Sequence, residues 1–414
     1  MADAAPPPAT SIWKERDYLL FWSCRFTSAL GVSIESVAIG WQIYALARRS
    51  MDVEHSAFLV GMVGLAAFTP LFLLALPAGE AADRYNRKTI LRVTYLSETV
   101  VAAGLAVLSH LHLVSTDLLL AAAFVFGASR AFMQPAQNAL APNLVPRELL
   151  PRSIAWNALA GQSGRIFGPA LGGVLVGVSP TFAYGTAASL YMLAALATFA
   201  IVRNAPPVIH TASRIALIKE GLVYVWENRI VFGAISLDLF AVLLGGATAL
   251  LPVFARDVLN VGASGFGILR TGPALGAATM SLILSSRPIR HRAGLTMFAG
   301  VAVYGVATLV FGLSKSLWLS VAALAVLGGA DMLSVFVRQT LVQLITPDPM
   351  RGRVAAVSGL FVGASNELGE FESGVVARFL GPIGAAIFGG VGALIVTGLW
   401  AKLFPALRKV DRLA

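Results

Sequence analysis

Long apolar runs separated by short polar breaks make up most of this chain. Segments at roughly 18–47, 57–78, 88–109, 117–137, 153–178, 181–203, 229–256, 264–286, 294–313, 317–345, 353–378 and 382–404 are each long enough to cross a bilayer. About 20 residues at ~1.5 Å rise cover a hydrocarbon layer ~30 Å thick. The pattern predicts an all-α membrane protein of twelve transmembrane helices, because a helix satisfies its own backbone groups where there is no water. Two breaks, Val178–Thr181 and Leu380–Pro382, are short enough to demand antiparallel neighbours. The longest polar interruption, about 204–228, opens on Asn-Ala-Pro-Pro and turns helix-like around Ile215–Trp226. It divides the chain into an arm at 1–17, a first bundle at 18–203, a linker at 204–228, a second bundle at 229–404 and a tail at 405–414.

The two halves repeat. Shifted by 201 positions, Pro146 falls on Pro347, Arg152 on Arg353, Gly168 on Gly369 and Gly173 on Gly374. Two six-helix bundles related in this way hold a substrate between them near the membrane midplane.

Composition agrees, with 57% hydrophobic and 13% charged residues against about 25% charged in soluble domains. The net charge of +10 would suit nucleic acid if the basic residues shared one face of a soluble domain. They sort by loop instead. Only Arg48, Arg49, Arg256, Lys315 and Arg378 lie on the side away from the termini, and the other loop cations gather on the terminal side. The positive-inside rule makes that side cytoplasmic and anionic membrane lipid its partner. The N-terminal arm lacks the apolar core and cleavage site of a signal peptide, so the first span is expected to stay as an anchor in the plasma (inner) membrane. A single cysteine, Cys24, permits no internal disulfide and no paired-cysteine metal or redox site.

Between the second and third spans runs Gly79-Glu-Ala-Ala-Asp83-Arg84-Tyr-Asn-Arg87-Lys88, a charged stretch between apolar walls. It resembles the G-x-x-x-D-R-x-G-R-K signature of the major facilitator superfamily, with Asn86 in place of the usual glycine. Asn tolerates the left-handed conformation expected of such a turn. The resemblance implies the major facilitator fold, with this motif (Gly79, Asp83, Arg84, Arg87, Lys88) as a cytoplasmic gate. In the fifth span, Gly164-Arg-Ile-Phe-Gly168-Pro169-Ala-Leu-Gly172-Gly173 carries small residues at 164, 168 and 172 on one face, with Pro169 favouring a kink. A generic close-packing face would explain any single glycine pair. The complete motif resembles the fifth-helix signature of facilitator antiporters, apart from Ala155 where an earlier glycine is usual, and implies export by exchange with protons. The stretches Phe132–Leu140, Leu144-Val145-Pro146 and Asn157-Ala158-Leu159 are similar to the enterobactin-exporter-like branch, which includes drug efflux pumps. Common drug antiporters carry Arg before the fourth-helix glycine, whereas here Phe124 precedes Gly127 and Arg130 follows it, so their proton relay does not transfer.

The spans contain the acids Glu35, Glu98, Asp238, Asp331, Glu367, Glu370 and Glu372 and the bases Arg25, Arg130, Arg165, Arg270 and Arg338. Each costs about 2.5–3.5 kcal/mol at mid-span, so such residues face a wet cavity or a partner. Any one of them is accounted for equally by a structural ion pair, and Arg25, near a helix end, by snorkelling. Glu367 and Glu370 share a helical face, and paired carboxylates on a cavity wall suit proton exchange. Pairing with Arg338 or Arg270, or an interbundle gate, are the alternatives. The resemblance places Glu35, Arg130, Asp238 and Asp331 on the first, fourth, seventh and tenth helices, which line the cavity in facilitators. Arg130 aligns with Asp331 across the repeat, as an acid–base pair or as two unrelated positions. Trp22, Trp41 and Tyr44 are either a substrate wall or interface anchors. Acids outnumber bases in the spans, favouring protons or cationic groups over a strongly anionic cargo.

His112 and Asp117 fit an H-x-x-x-x-D acyltransferase pattern, but they sit at an external loop with no phosphate-binding cluster. A Walker lysine loop is also lacking from the sequence. The expectation is a monomeric, proton-coupled exporter of an amphipathic drug-like or siderophore-like molecule, not an enzyme, without cofactor, metal or nucleic acid. A lysophospholipid flippase of the same fold is the alternative.

Overall fold

The computed structural model describes residues 11–203, 214–287, 289 and 291–412. The start of the N-terminal arm, the linker segment 204–213 and the last two residues of the tail lie outside them. The first six spans are Arg16–Ala47, Val53–Leu73 extended by Ala75–Arg84, Arg87–His110, Thr116–Leu140, Leu150–Val178 and Pro180–Ala200. After a linker helix, Arg214–Glu227, come Arg229–Leu244 continued by short turns to Val258, then Gly262–Ser286, Ala293–Leu313, Leu317–Ile345 and Asp348–Leu403. Ten helices among the described residues are long and apolar enough to span a membrane. One of them, the 56-residue Asp348–Leu403, is two spans meeting at Gly381, whose φ of 70° and ψ of 170° reverse the chain. Only glycine enters that region without strain. The fifth span, diluted by glycine and polar residues, is less apolar, yet it packs like the others and completes the twelve.

Local chemistry sets the helix starts. Asp52, Ser115, Ser179 and Asn228 each accept a backbone N–H of the first turn they precede, a cap worth about 1 kcal/mol. Asn86 does the same. Its φ is −63° and its side chain accepts from the Lys88 N–H, so the turn after Arg84 needs no left-handed residue, contrary to the sequence expectation. The helix also runs through Gly79 to Arg84, leaving Tyr85 and Asn86 as the whole turn. The seventh span departs from the continuous helix expected: it stops at Leu244, and Gly245 and Gly246 break it before the chain resumes. Gly245 O accepts from Tyr304 Oη at 2.7 Å, so a carbonyl freed by the break finds a buried donor.

Two seams join the bundles, the second span against the eleventh and the fifth against the eighth. Each closes on a pair of glycines. A Cβ on Gly374 would lie 2.6 Å from Gly61 Cα, and one on Gly267 would lie 2.8 Å from the Gly173 carbonyl carbon. The backbones therefore touch directly. Gly164, Gly168 and Gly172 face Ala29, Ser33 and Ile34 of the first span instead, so the motif seats one helix within its bundle and uses only Gly173 between bundles.

Candidate functional site

At the face away from the termini the bundles are latched. Arg48 Nη2 lies 3.0 Å from Asp257 Oδ1, Tyr44 donates its hydroxyl to the same carboxylate, and Arg256 donates to Ala45 O at 3.2 Å. Just below, Trp41 stacks on Phe266 of the eighth span with centroids 5.0 Å apart. Trp41 and Tyr44 therefore close the far side. Trp22 belongs to an aromatic group with Trp13 and Trp156 near the termini.

The fifth span has two exposed stripes on opposite faces. Phe167, Leu171, Val174 and Val178 form an apolar one, while Pro151, Ile154, Ala158 and Arg165 form the other. The second stripe turns toward the first and fourth spans, since Arg25 packs beside Gly161 and Arg165 lies close enough to Arg130 for their charges to repel. Its repeat counterparts Gly352, Ala355, Gly359 and Asn366 on the eleventh span are exposed too. Asn138 and its counterpart Gln339 are likewise exposed on the fourth and tenth spans. Exposed positions thus follow both helices inward from the terminal face, as far as Arg165 on the fifth span and Asn366 on the eleventh.

Around these inner ends lie three groups of ionisable residues. In the first bundle, Glu35 is fully buried and accepts from Tyr191 Oη at 2.9 Å. Glu98, 2% exposed, lies beside it, close enough for the two charges to repel. Glu35 Oε1 and both Glu98 oxygens lack a hydrogen-bond partner among the described residues. Two acceptors facing each other can share a proton but cannot otherwise satisfy one another.

Between the bundles, Arg130 Nη1 meets Glu367 Oε1 at 2.7 Å, joining the fourth span to the eleventh. Glu370, one turn on, lies beside Gly64 of the second span and within the field of Arg270 and Glu367. In the second bundle, Arg338 pairs with Asp238 at 3.3 Å, and Asp331 shares a small cavity with Asp238, Tyr304 and Ser334. The aligned residues Arg130 and Asp331 thus serve different groups. Glu372 stands apart, accepting from Ser373 Oγ at 3.4 Å.

In the Gly79–Lys88 motif, Arg87 Nε donates to Ala82 O, and Lys88 Nζ donates to Ile201 O and Val202 O just past the sixth span. Both cations are buried against carbonyls at helix ends, where the helix dipole favours positive charge. Arg84 pairs with Glu80 at the surface, Gly79 is buried and Asp83 is half-buried. The helix carrying Gly79–Arg84 packs on the fourth span and touches the linker helix. His112 lies in the far loop, remote from these groups by sequence and topology.

Sequence reasoning counted Glu98 among the intramembrane acids without giving it a role. The missing signal was its register with Glu35, which only the packing of the first and third spans on the sixth supplies. The Arg48–Asp257 latch was also missed, because both residues read as ordinary loop charges.

Twelve helices in two glycine-seamed bundles, together with the family match that follows, define a transporter of the major facilitator superfamily. More narrowly, the chain belongs to the family described as transmembrane secretion effector, which matches residues 10–414. The enterobactin exporter EntS of Citrobacter koseri is 27% identical over 397 residues, covering 93% of this chain and 91% of that protein. EntS of Shigella boydii serotype 4 shows the same identity and coverage. Among solved structures, an inward-facing, occupied bacterial homolog of the human lysosomal transporter Spinster superposes with a TM-score of 0.71 at 15% identity, covering 97% of each chain. A D-xylose–proton symporter superposes with a TM-score of 0.73 at 12% identity, covering 95% of this chain and 98% of that one. At these identities the superpositions bear on the fold alone.

Proposed function

We propose that this transporter exports an amphipathic small molecule, of the siderophore or drug class, in exchange for protons by alternating access. The far side is latched, the terminal halves of the fourth, fifth, tenth and eleventh spans carry exposed polar residues such as Asn138, Arg165, Gln339 and Asn366, and the basic loops favour a cytoplasmic terminal side, so we read the geometry as a state loading cargo from inside. The substrate class rests on the relatives named as enterobactin exporters. Proton exchange rests on the Glu35–Glu98 pair, buried together with three oxygens that have no hydrogen-bond partner among the described residues.

The pair is wired to the bundle seam. Arg130 lies within the field of Glu98 on one side and pairs with Glu367 of the other bundle on the other. When the pair holds a proton, Arg130 is free to bind Glu367. When it releases the proton, the exposed negative charge competes for the same guanidinium and loosens the seam. Ser129, Tyr191 and Tyr184 complete the surroundings of the pair, and none of them can neutralise a second carboxylate. Glu367 is in this reading the partner that senses the proton. Glu370, Asp238 and Asp331 are secondary carriers, and Asp83 belongs to the cytoplasmic gate.

The test is flux in proteoliposomes across an imposed pH gradient, with enterobactin, drug-like cations and a lysophospholipid as cargo. Glu98→Gln and Glu35→Gln should abolish gradient-driven accumulation while downhill exchange continues. Full accumulation by both variants would move proton coupling to Glu367 and Glu370, where Gln substitutions provide the next comparison. Gradient-independent movement of lysophospholipid alone would replace the exporter reading with a lipid flippase.

A further inference from the structure

We infer that the inner end of the exposed fifth-span stripe is an anion site: Arg25, steadied by Asn138, and Arg165 receive a carboxylate, sulfonate or phosphate group on the cargo. This inference rests on the transporter reading above and adds the charge of the substrate to it.

The excess of acids in the spans points the other way until the residues are sorted by place. Glu35 and Glu98 are buried inside the first bundle, and Asp238 and Asp331 lie inside the second with Arg338. None of these acids belongs to the exposed stripe. Around its inner end stand Arg25, Arg130, Arg165 and Arg270, with only Glu367 and Glu370 to balance them. Glu367 is taken by Arg130, and Glu370 lies near Arg270. Arg25 and Arg165 are left without a carboxylate partner among the described residues.

Both are held for use. Arg25 lies against the bare backbone of Gly161, where a Cβ would come 3.7 Å from its Nε. Its Nη1 donates to Asn138 Oδ1 at 3.2 Å, and its Nε is buried with no acceptor among the described residues. Arg165 is exposed as the one charged residue of the stripe, at its inner end, and has no hydrogen bond or ion pair among the described residues. The two guanidinium groups are close enough to repel, a cost that a bound anion would remove. The repeat gives a built-in contrast, because the position equivalent to Arg165 is the neutral Asn366. At this repeat position the fifth span thus presents a cation and the eleventh a neutral amide.

Three probes sharing one fluorophore separate charge from hydrophobicity: dansylglycine (anionic), dansylamide (neutral) and dansylcadaverine (cationic). Binding to the purified full-length protein in detergent, with no gradient present, should favour dansylglycine over dansylamide, and dansylcadaverine should bind weakest. Arg165→Gln should weaken dansylglycine about tenfold, the loss expected for one charge-assisted contact, and leave dansylamide unchanged. Arg165→Lys should recover part of the loss. Arg25→Gln should act in the same direction, and Arg165→Gln carries the test if Arg25→Gln does not fold, since Arg165 supports nothing in the fold. Equal affinity for the three probes, preference for the cation, or an unchanged anion preference in Arg165→Gln would each overturn the site. Because no gradient enters the assay, its failure would leave proton coupling standing, and a protein that moves cargo without a gradient could still keep the anion preference.

Discussion

A single methyl group at Gly173 should open the far side of this transporter. Gly173 is the point where the fifth span touches the eighth, and a Cβ there would be 3.2 Å from Gly267 O and closer still to Gly267 Cα. Carbon atoms settle at about 3.5–4.0 Å, so the two backbones must separate. Overpacking of this kind costs about 1–3 kcal/mol. The contact joins two bundles and lies near the far ends of both helices, so parting the far side relieves the clash without disturbing either bundle. Gly173→Ala should then shift the balance toward the far-open state by roughly 5- to 150-fold. Nitroxide labels on Val178→Cys and Trp318→Cys, at positions 68% and 72% exposed on the far ends of the fifth and tenth spans, would report the distance between bundles by electron spin resonance. The native Cys24 is 1% exposed and should stay unlabelled. Gly177→Ala is the control, because its Cβ would meet nothing nearer than 3.6 Å. If Gly173→Ala and Gly177→Ala give the same distance distribution as the parent, the glycine contact does not hold the far side shut.

Asp257→Asn should lengthen the same label distance less strongly, by up to about fivefold in population, because the Arg48–Asp257 pair is partly exposed and worth about 1 kcal/mol or less. Asp238→Asn should strand Arg338, whose side chain is 3% exposed, and cost about 3–5 kcal/mol of stability. Asp331→Asn leaves that pair intact, so thermal unfolding should rank Asp238→Asn as the weaker protein, and the reverse order would refute the pairing. Asp83→Asn should slow transport at normal folded yield, and unchanged flux in a well-expressed variant would remove Asp83 from the gate.

The spans were legible in the sequence because a bilayer imposes a length and a polarity that single residues reveal. Gly381 was legible for the same reason: Leu380–Pro382 leaves no room for a loop, and glycine makes the reversal possible. The extent of the seventh span was legible but its break was not, because Gly245 and Gly246 sit in an unbroken apolar run and the donor that stabilises the break, Tyr304, is 59 positions away in sequence. Asn86 was recognised as a turn residue and given the wrong task, since a capping side chain and a left-handed backbone favour the same amino acid. Glycine spacing showed that the fifth span packs closely, but not that Gly164, Gly168 and Gly172 look one way and Gly173 another. On that packing Gly168→Ala, tolerable in part on spacing alone, meets the Ser33 side chain with Oγ at 2.9 Å. The ionisable residues were all visible, but their partners come from separate helices and, for Glu367, from separate bundles. Charge counting along the spans favours a cationic cargo, and the placement of the same residues favours the anionic one proposed above.

The reversal at Gly381 has a bearing on what can seize this protein at its far face. Between the eleventh and twelfth spans the far face offers one residue, and between the fifth and sixth it offers only Ser179. The largest far-side connections run from Arg48 to Asp52 and from Leu111 to Ser115. An antibody, phage tail or toxin approaching from that direction would meet almost no projecting chain, with Phe379 and Leu380 flanking the reversal as bare apolar surface. Peptide tags placed there would have to interrupt a helix. Such a surface leaves a macromolecular ligand one practical grip, a protruding loop of its own pushed between the bundles once the far side has parted.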